Sequence, residues 1–382
     1  MYQLITNTAD LEAVCRRLHD EPYVTVDTEF IREKTYYPKL CLVQLAGNDD
    51  NIIIDPLADG IDLTPLLELL SNEKVLKIFH AAQQDVEIFY KLMGKIPAPI
   101  FDTQIAAMVC GFGESVGYES LVNRLLNETL DKASRYTDWE QRPLTTRQLN
   151  YAIADVTHLR QIYEHLHGRI TARNREAWIE EEIAKLNEVS QYHTNPDEAW
   201  RRLKYKNRSP AYLNILRAAA AWRERTSQVK NIPRGRLLKD EVVVQIASMN
   251  PHNMDELAEV RGAMRHLNVD NAQSLMDALE KARATPKEEY PRDEKKRKQL
   301  EPEQEGLVDV LKMLLKMQCE QHGVAPKLVA NKEDLAALVL GRSDVPCLQG
   351  WRYDVFGKRA SQFLQGSLLL KAVRGTIQFE EA

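Results

Sequence analysis

VTVDTEF, residues 24–30, is a β-rich run that carries two carboxylates, Asp27 and Glu29, one residue apart. Val24, Thr25 and Val26 are β-branched and favour extended backbone. Alternation along a strand puts Asp27 and Glu29 on one face, about 6 to 7 Å apart, and turns Thr28 to the other. Two like charges at that spacing either mark the strand's exit into solvent or hold a cation between them. Oxygen donors of this kind suit Mg²⁺ or Mn²⁺.

Working outward, LCLVQLA (40–46), NIIID (51–55) and VLKIF (75–79) read as further strands. The connections 31–39 and GNDD (47–50) are short enough for antiparallel pairs. DPLADGIDLTPLLELLSNE (55–73) reads as a helix with polar flanks before VLKIF. Strands alternating with helices up to about residue 170 predict an α/β unit with a mixed sheet and helices on its faces. Beyond it helical periodicity takes over. SPAYLNILRAAAAWRERTSQ (209–228) opens on Ser-Pro, and DEVVVQIASM (240–249) and MDELAEVRG (254–262) follow as shorter helices. The highly charged 286–305 reads as a linker, and GLVDVLKMLLKMQCEQHGV, KEDLAALVLG and SQFLQGSLLLKAV as a second helical set over 306–376.

Two or three domains are expected of 382 residues. The N-terminus has no basic leader and no segment nears the roughly 18 apolar residues of a membrane span, so a soluble, cytoplasmic protein is expected. The five cysteines show no CxxC spacing, which argues against a zinc site or a disulfide framework. The net charge of −5 speaks against a nucleic-acid partner until its distribution is seen. Residues 201–240 carry twelve Lys and Arg against two acids, a local balance of +10. Either this is a solvated helix face or its residues, Arg201, Arg202, Lys204, Lys206, Arg208, Arg234 and Arg236 among them, contact phosphate.

Two more acids bear on Asp27 and Glu29. In KIFHAAQQDVEIFYKLM (77–93) a strand runs into a helix with Asp85 in its first turns, where an ordinary capping acid is the plain alternative. In RQLNYAIADVTHLRQIY (147–163) Tyr151 and Asp155 are i, i+4 neighbours on one helix face. Taken singly, Tyr151 is as readily a core aromatic and Asp155 an exposed helix residue.

In order and context, DTE on a strand, FHxxxxD at a strand-to-helix junction and YxxxD on a late helix resemble the tyrosine-bearing branch of the DEDD 3′-to-5′ exonucleases. LCLVQLA, FDTQIAAMVCGFGESVGYESLV (101–122) and LDKASRYTDWEQRPLTTRQLNYAIADVTHL (130–159) are similar to the ribonuclease D family in particular. LNILRAAAAWRERTSQVKNIPRGRLLKDEVVVQIASMNPHNMDELAEV (213–260) resembles an HRDC domain, and HGVAPKLVANKEDLAAL (322–338) does so more loosely. The resemblance implies an RNase H-like exonuclease domain over 1–195, an HRDC domain over 205–285 and a second HRDC-like domain over 306–376.

It implies Asp27, Glu29, Asp85, Tyr151 and Asp155 as catalytic residues, the four acids holding two Mg²⁺ or Mn²⁺ ions. Such ions neutralise charge on a scissile phosphate and clamp attacking and leaving oxygens. A phenol, with a pKa of about 10, is a poor general base, so Tyr151 would orient the attacking water. Candidate substrate contacts are Thr28, Gln44, His80, Lys132 and Arg142; His80 and Gln44 have plain structural alternatives. Asp102 reads as a helix N-cap and Trp139 as core.

The expected substrate is RNA, a single-stranded 3′ end of a transfer RNA precursor or another structured RNA, trimmed to 5′-mononucleotides by a monomer. The competing expectations are the same chemistry on DNA and a non-catalytic RNA-binding scaffold; no motif specifies contact with the 2′-hydroxyl.

Overall fold

The computed structural model describes residues 2–130, 137–292 and 300–382. The expected mixed sheet is present. It has six strands, β1 (Gln3–Ile5), β2 (Tyr23–Ile31), β3 (Lys39–Ala46), β4 (Asn51–Ile54), β5 (Leu76–Phe79) and β6 (Ile100–Asp102), in the order β1-β4-β3-β2-β5-β6. β2, β3 and β4 pair antiparallel, whereas β1 joins β4 and β5 joins β2 and β6 in parallel. The two strands absent from the sequence reading, β1 and β6, have three residues each, too few to display a period.

Helices α1 (Thr8–Leu18), α2 (Thr64–Ser71) and α3 (Gln83–Met93) cover one face of the sheet, where Leu11, Leu70 and Phe89 meet Val24, Val26 and Leu45. The other face lies under α4 (Thr103–Val109), the short α5 (Tyr118–Leu121) and the 26-residue α6 (Thr146–Thr171). A capping box starts α6: the Thr145 hydroxyl accepts from the Gln148 amide while the Gln148 side chain accepts from the Thr145 amide. α6 sits across β2 at one fixed height, because the Thr25 hydroxyl donates to the Val156 carbonyl at 2.9 Å. α7 (Glu176–Leu186) follows.

The first helical module consists of α8 (Pro210–Lys230), α9 (Arg234–Leu237), α10 (Asp240–Met249), α11 (Met254–Glu259) and α12 (Val269–Arg283). Ser209 caps α8 with Pro210 in its first turn, as the Ser-Pro signal predicts. The module has its own core of Trp200, Leu213, Leu216, Val243, Leu257 and Leu275.

The second set comprises α13 (Pro302–His322), α14 (Pro326–Val329), α15 (Lys332–Val339), α16 (Gly350–Arg352) and α17 (Lys358–Leu364). It has no separate core: Leu311, Leu315, Val324 and Phe356 pack with Ala107, Leu159 and Ile162 of the catalytic unit. Arg175 ties the two, donating to the carbonyls of Val109 at 2.7 Å and Gly323 at 2.8 Å. A Cβ on Gly111, whose φ is +79°, would lie 2.6 Å from the Gly323 carbonyl carbon, so two backbones meet where no side chain fits. Trp178 stacks on Trp351 with ring centroids 4.2 Å apart.

Two readings are corrected here. α13 begins at Pro302, inside the segment read as linker, because Glu301 and Gln304 form a capping box. The run from Ser361 does not stay helical: α17 ends at Leu364, and β7 (Leu368–Val373) pairs with β8 (Thr376–Glu381). Arg374 and Gly375, at φ +47° and +80°, supply the two positive φ angles a tight hairpin turn needs. All five cysteines are buried and free, as expected of reduced structural residues. No helix among the described residues is long and apolar enough to cross a membrane.

Candidate active site

Strand β2 presents Thr25, Asp27 and Glu29 to α6, while Val24, Val26 and Thr28 face α3. α6 returns Tyr151 and Asp155 toward β2. One oxygen each from Asp27, Glu29 and Asp155 lie within 4.8 Å of one another, and among the described residues this is the one acidic, His or Cys group so close. Asp85, in the first turn of α3 and only 7% exposed, stands outside that group but near enough for its charge to repel those of Asp27 and Glu29. The Thr28 hydroxyl donates to it, so the residue between the two acids of β2 positions the third acid from the opposite face.

The turn into α3 is built for this placement. Ala81 takes φ +57°, an uncommon backbone for a residue with a Cβ. The buried Asp102 carboxylate holds it, accepting from the amides of Ala81 at 3.1 Å and Ala82 at 2.9 Å. The same carboxylate caps α4 as expected, accepting from Gln104 N at 2.7 Å.

Asp27, Glu29 and Asp155 border a cleft of about 640 Å³, whose walls include Phe30, His80, Gln84, Tyr118 and Tyr151. Burial pushes the carboxyls of Asp27, Glu29 and Asp85 well above the usual range, and their mutual repulsion adds to the rise. A hard divalent cation relieves both penalties, and an all-oxygen donor set fits Mg²⁺ or Mn²⁺ better than a soft metal. The residues present therefore fit the metal that the motif implies.

His80 stands in the cleft wall, with Nδ1 3.0 Å from the Thr103 hydroxyl and its ring 5.3 Å from Tyr118. Burial lowers its pKa and so favours the neutral ring. Gln44 is elsewhere. It is fully buried beneath α6, across from Asp27 in the β2–β3 pairing, and neither of its amide atoms has a hydrogen-bond partner. Arg142 is also turned away from the cleft: it binds both oxygens of Asp55 at 2.7 Å and the carbonyls of Trp139 and Cys41 at 2.8 Å. An unpaired Asp55, 7% exposed, would be costly there. Lys132 lies outside the described residues.

In the basic segment, Arg234 is bidentate to Glu224, Arg201 pairs with Glu198, and Arg202 lies 3.3 Å from the Thr194 hydroxyl. Arg208 has a partner as well. Lys204, Lys206 and Arg236 are exposed.

Sequence reasoning missed two residues. Asp102 was read only as a cap for α4. Tyr118 carries no signal in the sequence: its hydroxyl donates to the Asp155 backbone carbonyl, bracing α6 beside that acid. Periodicity cannot reveal a tyrosine at a short helix start; GYE offered only composition.

Residues 2–171 match a family model described as 3′-5′ exonuclease, and residues 213–279 match the HRDC domain. The chain is 47% identical to ribonuclease D of Granulibacter bethesdensis over 96% of its length and 93% of that protein's. It is also 47% identical to ribonuclease D of Gluconacetobacter diazotrophicus, over 98% of this chain and 95% of the relative. Among solved structures it is similar to Escherichia coli RNase D, an exoribonuclease involved in structured RNA processing, with TM-score 0.79, 29% identity and coverage of 96% of this chain and 99% of that one. With near-complete coverage at such identity, and Asp27, Glu29 and Asp155 of the motif gathered at one cleft, the chain belongs to the ribonuclease D family of 3′-to-5′ exoribonucleases.

Proposed function

We propose that this exoribonuclease removes 5′-mononucleotides from the single-stranded 3′ ends of transfer RNA precursors and other structured RNAs, acting as a cytoplasmic monomer. The observation that carries the reading is the meeting of Asp27, Glu29 and Asp155, from a strand and a distant helix, with oxygens inside 4.8 Å. Asp27, Glu29, Asp85 and Asp155 would hold the Mg²⁺ or Mn²⁺ ions, which when bound would offset charge building on the scissile phosphate and make the attacking water more acidic.

Tyr151, one helical turn before Asp155, orients that water through its hydroxyl and takes no proton from it. His80, neutral in its pocket, faces the terminal nucleotide, and Phe30 offers an apolar surface at the cleft wall for a base. The exposed Lys204, Lys206 and Arg236 contribute phosphate contacts outside the cleft.

The test is incubation of the purified chain with a 3′-extended transfer RNA, with Mg²⁺, with Mn²⁺ and with chelator. A ladder of 5′-mononucleotide loss that requires metal is expected. Internal cuts, or release unaffected by chelation, would overturn the reading. Matched RNA and DNA oligonucleotides then measure the sugar preference.

A further inference from the structure

The hairpin that follows the two acids of β2 is held from two sides, by its own unit and by the first helical module. Its register against β3 shifts between Glu29 and Phe30, so the strand is re-aimed immediately after a candidate ligand and at a cleft-wall residue. Residues 32–38 then cross to the first helical module. The Tyr36 hydroxyl donates to Glu224 of α8, the Tyr37 amide donates to Asn231 Oδ1 at 3.0 Å, and Arg236 reaches the Glu33 carbonyl at 3.4 Å.

Glu224 is 1% exposed, and Arg234 holds its two oxygens at 2.5 and 2.6 Å. Arg234 also donates to the Tyr36 oxygen at 2.8 Å and lies over its ring at 4.7 Å. On its other side the hairpin is tied to α3, which carries Asp85: Arg32 pairs with Glu87 at 2.6 Å, and the Lys91 ammonium sits 4.1 Å from the centre of the Tyr37 ring.

We propose that Tyr36, Glu224 and Arg234 form a latch through which the first helical module sets the β2–β3 hairpin, and with it Phe30, so that docking of the module determines how firmly the cleft grips a single-stranded RNA 3′ end. The inference rests on the exonuclease reading. A carboxylate this buried is tolerated only with its partners in place, so the latch is closed by all three side chains together. The acids themselves are placed by β2, α3 and α6. The latch therefore acts on binding and leaves the chemical step alone; Tyr36 and Glu224 are positioning residues.

The experiment uses the full chain with Tyr36→Phe and Glu224→Gln. Affinity for a short single-stranded RNA is measured in chelator, where no cleavage occurs, and kcat is measured with Mg²⁺. Tyr36→Phe keeps the ring and removes the hydroxyl that donates to Glu224 and accepts from Arg234 and Gln228, so affinity is expected to fall about tenfold while kcat changes by less than about twofold. Amide exchange over residues 32–38 is expected to quicken in the same variant. Unchanged affinity in Tyr36→Phe, or a fall in kcat as large as the fall in affinity, overturns the latch. If Glu224→Gln fails to fold, Tyr36→Phe decides alone. A wild-type chain that releases no mononucleotide sinks the exonuclease reading instead, and the affinity comparison in chelator still judges the latch.

Discussion

Asp27 and Asp155 show how far single residues carry the argument. Each carboxylate gives one oxygen to the group that meets within 4.8 Å, so removing either charge should weaken binding of metal and of phosphate together. We expect Asp27→Asn and Asp155→Asn each to lower kcat by about a thousandfold or more, with Mn²⁺ binding lost by calorimetry and the fold intact by circular dichroism. Proton linkage gives a second expectation. Burial first, and repulsion second, raise Asp27, Glu29 and Asp85 in the folded metal-free chain above their unfolded values near about 4. The folded state then binds more protons than the unfolded state, so stability falls as pH climbs from about 4 toward neutrality. In chelator the wild type should lose Tm across that range faster than Asp27→Asn, and added Mn²⁺ should restore more of it at pH 7 than at pH 5. A Tm difference between the two proteins that stays constant with pH would rule the linkage out.

Among the elements, the turn from β5 into α3 depends most on one side chain. Asp102 accepts amide hydrogens from Ala81 and Ala82 in this turn and from Gln104 at the start of α4, and it sustains the positive φ of Ala81. Asp102→Ala leaves those donors buried without acceptors, and a loss of about 2 to 4 kcal/mol in urea unfolding is expected, with reduced activity because His80 and Asp85 flank the turn. Asp102→Asn, which keeps one carbonyl acceptor, should fall between. The helices that carry the site were readable from sequence for a local reason. α6 keeps a helical period over seven turns and announces itself with a capping box, and the aliphatic strands β2 to β4 are separated by short polar turns. β7 was not readable: three leucines following a helical run suit either structure, and only the pairing with β8 decides.

In the whole molecule the boundaries seen in sequence divide the chain but not its cores. The first helical module packs on itself, whereas the second completes the core of the catalytic unit around Leu159 and Ile162. Truncation after residue 195 should therefore give an aggregation-prone fragment with lower Tm and increased dye binding, not an independent exonuclease, because it strips apolar cover from both residues. A soluble fragment with full-chain stability would contradict the shared core.

The acid set, its order along the chain and the α/β character of its first half were written into residues 24–155, since strand alternation and the helical period are local properties of the backbone. Distance in space is not local. That Asp27, Glu29 and Asp155 meet within 4.8 Å follows from β2 lying at the sheet centre under α6. The same holds for the basic segment. Its charge was plain, but folding places Glu224 beside Arg234 and Tyr36, and a buried carboxylate demands a partner that only packing can select.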